Sequence, residues 1–217
     1  KTSPAEIMKE IRDYDKRVEF SSREKENKAN PLFYVTHFPK KRFSQKEFKD
    51  KIYLVPRNAL TRKVNKIMAL SQADFRKNCY RFNTRIHGID ACSNEIGCRP
   101  EVFATEFRYL RAAGNPEHLP WWYFGKREAS LAPVHVTFHA GEDFLGICDG
   151  LRAIDEAVTF LELRKGDRLG HAMALGINSE DYYNFKRRNI VMTKQDYLDD
   201  CIWLLFREIR YCWQIGS

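Results

Sequence analysis

Three short segments of the sequence place histidine and carboxylate side chains directly after apolar runs. They are residues 90–95, from Asp90 to Glu95, residues 139–142, from His139 to Glu142, and the single residue His171. Imidazole and carboxyl groups are the side chains that most often move protons in enzymes. Because each apolar run has the length and composition of a buried strand, we interpret these residues as candidates for a catalytic site at strand ends.

The elements that must position these residues alternate between predicted strands and helices. Strands are expected at 32–38, 85–91, 134–139, 168–171 and 190–192. Helices are expected at 4–19, 100–114, 149–166, 179–188 and 195–212, with a basic helical region after a capping box at 44–47. Asp149 and Ser179 are the predicted N-terminal caps of two of these helices. The alternation predicts an α/β fold with a parallel sheet and crossover helices.

Two features of this pattern favour one kind of parallel sheet. No glycine-rich phosphate loop follows a predicted strand, which argues against a nucleotide-binding doubly wound fold. The polar residues lie just beyond the carboxyl ends of the strands, where a β/α barrel builds its active site.

The composition excludes several classes of protein. The 217 residues are 43% hydrophobic and 13% aromatic, which is enough for the hydrophobic core of one domain or of a large piece of one. They contain no low-complexity tract. No apolar run approaches the ~18–20 residues of a membrane helix. The six cysteines are scattered and form no CxxC pair, so we expect reduced thiols in a cytoplasmic protein. The sequence has no initiator methionine, and we expect the natural N-terminus to lie upstream.

The positive charge is concentrated in the first part of the chain. Residues 1–80 contain 20 Lys and Arg against 10 Asp and Glu, whereas residues 81–217 contain 17 against 19. The excess peaks in 40–66, where aromatic residues are interleaved with the basic ones, as in surfaces that hold phosphate backbones. One hypothesis is an RNA-binding face near the active site, formed by Lys40, Lys41, Arg42, Lys46 and Lys49. The alternative is a solvated helix face with inward aromatics.

Three motifs in order carry a family resemblance. They are Gly88-Ile89-Asp90 continuing to Glu95, His139-Ala140-Gly141-Glu142, and Asp167-Arg168-Leu169-Gly170-His171-Ala172. The chain resembles the adenosine deaminase family of metal-dependent hydrolases over about residues 32–193. The resemblance implies a (β/α)8 TIM-type barrel, of which residues 1–217 hold the middle strands, with 195–212 as a helical extension. It also implies hydrolytic deamination of adenosine, or of an adenine-containing nucleotide or RNA, to inosine and ammonia.

The same resemblance implies a role for each motif residue. His139 corresponds to a ligand of Zn²⁺, Glu142 to the acid that protonates the purine ring, and His171 to the residue that orients the attacking water. Asp90, Ser93 and Gly141 correspond to substrate-binding positions. Ser93 stands where the family has a glycine that contacts the purine through its backbone, and its side chain narrows the expected pocket.

Other residues near the motifs have plainer interpretations. His135, four residues before His139 on the same strand face, is predicted to be a packing residue deeper in the barrel. His37, near another strand end, is predicted to be structural, and Cys92 to be a small core residue.

The sequence also departs from the family pattern. It contains no His-x-His pair, and Asp199-Asp200 lies in a helical pattern rather than at a strand end. A complete barrel of this type takes ~250 residues. We therefore expect the chain to be a fragment of a larger polypeptide, with the remaining metal ligands elsewhere.

The long aromatic segment 96–133 and the 195–212 tail are most similar to the large deaminase subunits of bacterial antiviral RNA-editing defence systems. That similarity implies a homo-oligomer that works with an ATPase partner on adenosine in nucleotides or RNA. The absence of a long apolar run gives the separate expectation of no membrane association. Two alternatives stay open: a non-catalytic deaminase-like scaffold or RNA-binding subunit, and a deaminase of another amino-purine.

Overall fold

The computed structural model describes residues 4–21, 33–40, 59, 61–62, 64, 86–113 and 134–215. The predicted capping box at 44–47, most of the basic stretch that follows it, and the aromatic loop at 120–124 lie outside these residues. None of the helices in the described part of the chain is long and apolar enough to cross a membrane. Among the described residues, Cys92, Cys148 and Cys201 form no disulfide.

Four parallel strands form the described sheet, and they neighbour one another in chain order. The strands are β1 (Tyr34–His37), β2 (Ile86–Ala91), β3 (His135–Ala140) and β4 (Arg168–His171). Each pairs in parallel with the next. The prediction of an α/β fold with a parallel sheet is confirmed for these strands.

Five helices accompany the sheet in the described residues. They are α1 (Pro4–Ser21), α2 (Glu101–Ala113), α3 (Ile147–Phe160), α4 (Ser179–Phe185) and α5 (Lys194–Ile215), with a short 3₁₀ turn at Met173–Leu175. All five were expected from capping signals and apolar periodicity.

The predicted cap of α3 is wrong. The helix begins after Gly146 without a side-chain cap, and Asp149 lies inside it, where its carboxylate accepts a hydrogen bond from the Leu145 amide at 3.0 Å. A buried arginine, Arg99, also donates to Asp149 at 2.7 Å, so tertiary contacts rather than capping explain this residue. The helix ends at Phe160, and Gly166 belongs to the turn that precedes β4.

The predicted boundaries of α4 are also shifted. Its N-terminal cap is Asn178 and not Ser179. The Asn178 side chain accepts hydrogen bonds from the Glu180 and Asp181 amides. The helix ends at Phe185 because Arg187 and Arg188 adopt left-handed backbone angles.

The predicted strand at 190–192 is wrong. Residues 189–193 have no regular secondary structure, and Val191 is 87% exposed. Ile190 instead packs beside Gly146, where an added Cβ would lie 3.1 Å from the Ile190 Cδ1. Three apolar residues without a neighbouring strand to pair with are too short a run to form one.

Helices α2 and α3 cover one face of the sheet. Val136, Phe138 and Ala140 alternate along β3 and are each 1% exposed, whereas the intervening residues are less buried. The Phe103 ring of α2 lies 5.6 Å from the Phe138 ring in an edge-to-face arrangement. This packing directs His139, which has the opposite parity to Phe138, toward the other face.

Helix α5 is joined to α3 by buried ion pairs. The Arg152 Nε donates to the Asp200 carboxylate at 2.8 Å, and both side chains are almost completely buried. Trp203 Nε1 also donates to Asp155 at 2.7 Å. The interpretation of Asp199-Asp200 as helical residues is confirmed, since both lie within α5.

Candidate functional site

The parallel register brings the predicted site residues to one edge of the sheet. His37 stands opposite Asp90, and His139 stands opposite Gly170. The Nε2 atom of His139 lies 3.6 Å from the Asp90 Oδ1 atom. Because all four strands run in the same direction, their carboxyl ends meet here, as the sequence pattern predicted.

His171 and Glu142 complete this cluster. The His139 and His171 ring centroids are 5.0 Å apart, and the His171 Nε2 atom lies 3.4 Å from the Glu142 Oε2 atom. Both of the latter side chains are partly exposed. Side chains from three strands and the loop after β3 therefore surround one small volume.

Two groups of side chains at this edge have the donor types that hold a metal ion. One is His139, Glu142 and His171; the other is His37, Asp90 and Cys92. Within each group the candidate ligand atoms all lie within 4.8 Å of one another. Imidazole, carboxylate and thiolate donors suit zinc and similar transition metals.

The turn at 139–142 depends on the backbone of Gly141. Its φ is +76°, and an added Cβ would lie 2.6 Å from the Ile154 Cδ1. Only glycine adopts this conformation without strain and fits the space. The turn thereby carries Glu142 away from the sheet and toward His171.

The buried carboxylate of Glu95 holds the same turn. Its Oε2 atom accepts hydrogen bonds from the Gly141 amide at 2.8 Å and the Glu142 amide at 3.3 Å. Burial raises the pKa of Glu95, although the Lys40 charge and these two amides oppose the shift. Glu95 ends the first sequence motif. Its role in holding the turn could not be predicted from that motif, because it depends on a contact with a residue 46 positions away.

Lys40 contacts the turn from the other side. Its side chain is buried, its Nζ atom donates to the His139 carbonyl oxygen, and it lies 4.2 Å from the Phe138 ring centroid. Burial lowers the pKa of Lys40, opposed chiefly by the Glu95 charge. The prediction that Lys40 lies on an exposed basic face is wrong, because its ammonium donates to the His139 carbonyl inside the fold. The other four residues of that predicted face lie outside the described residues.

The end of β4 combines a close approach with strained backbone. A Cβ added to Gly170 would lie 2.6 Å from the His139 Cδ2 atom, so the glycine leaves room for the imidazole. His171 and Ala172 have φ values of 59° and 49°, in the left-handed region that costs a non-glycine residue about 1–3 kcal/mol. This reversal ends the strand at the point where His171 meets Glu142.

Ser93 adopts a φ of 80°, which glycine tolerates far better than serine. The residue is exposed just beyond β2. This backbone conformation favours a glycine at the position. Burial, followed by the Asp90 carboxylate, raises the pKa of the neighbouring Cys92 thiol.

His135 and Asp167 belong to the opposite end of the strands. The His135 side chain is 55% exposed, so the prediction that it packs in a core is wrong for the described residues. Asp167 accepts hydrogen bonds from Arg111 at 2.6 Å and from the Val136 amide at 2.8 Å. It links α2 to the start of β3 and has a structural role.

His37 and Cys92 were interpreted as structural residues, yet both contact the site. The His37 Nδ1 atom lies 2.7 Å from the Asp90 Oδ2 atom and 3.6 Å from the Cys92 Sγ atom. The signal that identifies them is the alignment of two strand ends in the parallel register, which a single motif does not contain.

No family model matches the chain, and no curated protein matches it significantly. In the described residues, the fold is α/β with a parallel sheet, and two groups of side chains that could hold a metal ion lie at its carboxyl edge.

Proposed function

We propose that the chain is part of a metal-dependent hydrolase of the adenosine deaminase type, which converts an adenine ring to hypoxanthine with release of ammonia. The observation that carries the proposal is the convergence of His139, Glu142 and His171 at one sheet edge. Glu142 and His171 belong to two different motifs and are 29 residues apart in the sequence, and the first motif supplies Asp90, 3.6 Å from His139. A metal-dependent hydrolytic site needs side chains of these types close together, and the parallel register of the strands brings them together here.

The proposed complete fold is a (β/α)8 barrel. Four parallel strands in chain order are the arrangement that consecutive barrel strands have. In such a barrel the covered face of β3 would pack on the outer helices, and the face with His139 would line the interior.

The donor set fits a zinc ion. His139 offers an imidazole ligand, and the His171 imidazole and the Glu142 carboxylate lie beside it. No His-x-His pair occurs in this sequence, so we propose that further ligands come from outside these 217 residues. When bound, zinc would supply a Lewis acid that makes water a nucleophile near neutral pH.

The proposed work of the chain's own residues is proton transfer and orientation. Glu142 would hold a proton near the purine N1 and release it as C6 becomes tetrahedral, and His171 would orient the attacking water. Asp90 would bind substrate or orient the His139 imidazole, which it approaches. The Ser93 and Gly141 backbones would contact the purine, with the Ser93 side chain limiting its size.

The test measures inosine formation in the polypeptide that contains this chain. Glu142→Gln should lower kcat by at least about a hundredfold, as loss of a general acid does. The matched control, Glu180→Gln, changes an exposed glutamate of α4 and should leave kcat unchanged. An equal rate in Glu142→Gln and wild type would refute the acid role.

Metal binding separates two roles for Glu142. Glu142→Gln should bind zinc as tightly as wild type if Glu142 is the acid, and distinctly less tightly if it is a ligand. Inductively coupled plasma analysis after dialysis against zinc would measure the bound metal.

A non-catalytic scaffold is the second candidate, favoured by the missing His-x-His pair. It predicts that the protein forms no inosine from any substrate but still binds RNA. For the enzyme, a substrate panel of adenosine, AMP, RNA and other amino-purines would assign specificity. The enzyme proposal includes a role in antiviral defence, in which the protein forms a homo-oligomer and works with an ATPase partner. Co-purification of the partner would test this role.

A further inference from the structure

Two side chains beside the proposed active site have no part in the chemistry above. His37 ends β1 opposite Asp90, and Cys92 directly follows β2. Their ligand atoms and those of Asp90 all lie within 4.8 Å of one another. We propose that His37, Asp90 and Cys92 form a second metal site, for zinc or a similar divalent transition-metal ion.

The nitrogen and sulfur atoms already have the spacing of a zinc site. With Zn–N near 2.05 Å and Zn–S near 2.3 Å, tetrahedral ligands place N and S about 3.6 Å apart. The His37 Nδ1 and Cys92 Sγ atoms are 3.6 Å apart.

The carboxylate needs a small adjustment. The same geometry places N and O about 3.3 Å apart, whereas the His37 Nδ1 and Asp90 Oδ2 atoms are 2.7 Å apart. The His37 side chain is 62% exposed. A ring shift of roughly 0.6 Å would bring the nitrogen to the distance that zinc ligation requires.

The buried charge of Asp90 favours a cation at this place. Asp90 is 3% exposed, and neither carboxylate oxygen accepts a hydrogen bond of standard geometry from the described residues. The buried Lys40 ammonium offsets part of this negative charge. A buried carboxylate is costly unless it is paired and hydrogen-bonded, and a divalent ion would reduce that cost further.

The backbone holds the site before any ion arrives. The Phe38 amide donates to the Asp90 carbonyl at 2.7 Å, and the Lys40 amide donates to the Cys92 carbonyl at 2.8 Å. These bonds continue the strand pairing past His37 and align the two loops. One nitrogen, one oxygen and one sulfur donor select a zinc-like ion over magnesium or calcium, and three protein ligands leave a fourth position for water or substrate.

Cobalt(II) titration of the 217-residue chain tests the proposal, because a thiolate bound to cobalt absorbs strongly in the near ultraviolet. The wild-type chain should develop this band and saturate it at one equivalent. Cys92→Ser and His37→Gln should each abolish the band and weaken zinc competition by at least about tenfold. Cys201→Ser, which changes an exposed thiol of α5, should retain it.

His139→Gln distinguishes this site from the neighbouring ligand group. It removes a residue of that group only, so the band should persist. A wild-type chain without the band, or a band that survives Cys92→Ser or disappears in His139→Gln, would overturn the proposal. A band that is retained while the polypeptide that contains this chain forms no inosine would support this site and count against the deaminase.

Discussion

Replacing Lys40 by methionine tests whether the buried ammonium supports the turn that carries His139 and Glu142. Methionine keeps an unbranched side chain over the Phe138 ring but removes the charge and the donor. The His139 carbonyl would lose its bond to the Lys40 Nζ atom, and the ring would lose its cation contact at 4.2 Å.

The expected loss of stability follows from three contributions. A hydrogen bond from a charged group contributes about 1.5–3 kcal/mol, and a desolvated cation–π contact contributes about 1–2 kcal/mol. The desolvation that lowers the pKa of Lys40 opposes both, because methionine avoids it. We expect the free energy of unfolding to fall by about 2 kcal/mol and Tm by about 4–8 °C for a chain of this size.

Urea unfolding and calorimetry of Lys40→Met would measure this, with Lys165→Met as the matched control. Lys165 is exposed in the turn before β4, and its replacement should change stability by less than about 0.5 kcal/mol. If the proposed zinc site is correct, zinc affinity should also fall about tenfold in Lys40→Met, because the His139 backbone loses its support. Equal stabilities of the two variants would refute the supporting role.

Three further predictions concern single positions. Gly170→Ala should lower the free energy of unfolding by about 1–3 kcal/mol through the clash with His139, and a stability equal to wild type in urea would contradict the close approach. Ser93→Gly should raise it by about 0.5 kcal/mol, since relief of left-handed strain exceeds the added chain entropy; a loss would contradict this. Burial raises the pKa of Asp200 to about 6, so its contribution to stability is present below about pH 4 and is lost as pH rises through 6. Between pH 4 and 7 the free energy of unfolding should therefore fall by roughly 1–3 kcal/mol less in Asp200→Asn than in wild type. Asp199→Asn is the control, and the same pH dependence in Asp200→Asn and wild type would count against the raised pKa of Asp200.

The order of strands and helices could be predicted because the signals are local. The apolar runs that contain or precede Asp90, His139 and His171 form strands. The bounds of these strands lie within a residue or two of the predicted bounds. Once these strands are parallel, their polar ends must meet at one edge, so the convergence of the motif residues also follows from sequence.

The errors arose where local signals competed with tertiary contacts. Asp149 has the residue type of a helix cap, but its carboxylate binds Arg99 and the Leu145 amide inside the fold. The apolar run at 190–192 has no strand beside it, so Ile190 packs on the turn before α3 instead.

The sequence by itself determined which histidines and carboxylates lie at the carboxyl edge, because strand parity and motif order are properties of the chain. Only the tertiary structure decided what surrounds them. Lys40 reaches the His139 carbonyl across 99 residues, and Glu95 reaches the 141–142 amides across the sheet edge. A lysine in a basic stretch is expected to be solvated, and its burial becomes favourable only when a distant carbonyl, a ring face and a carboxylate are brought together around it.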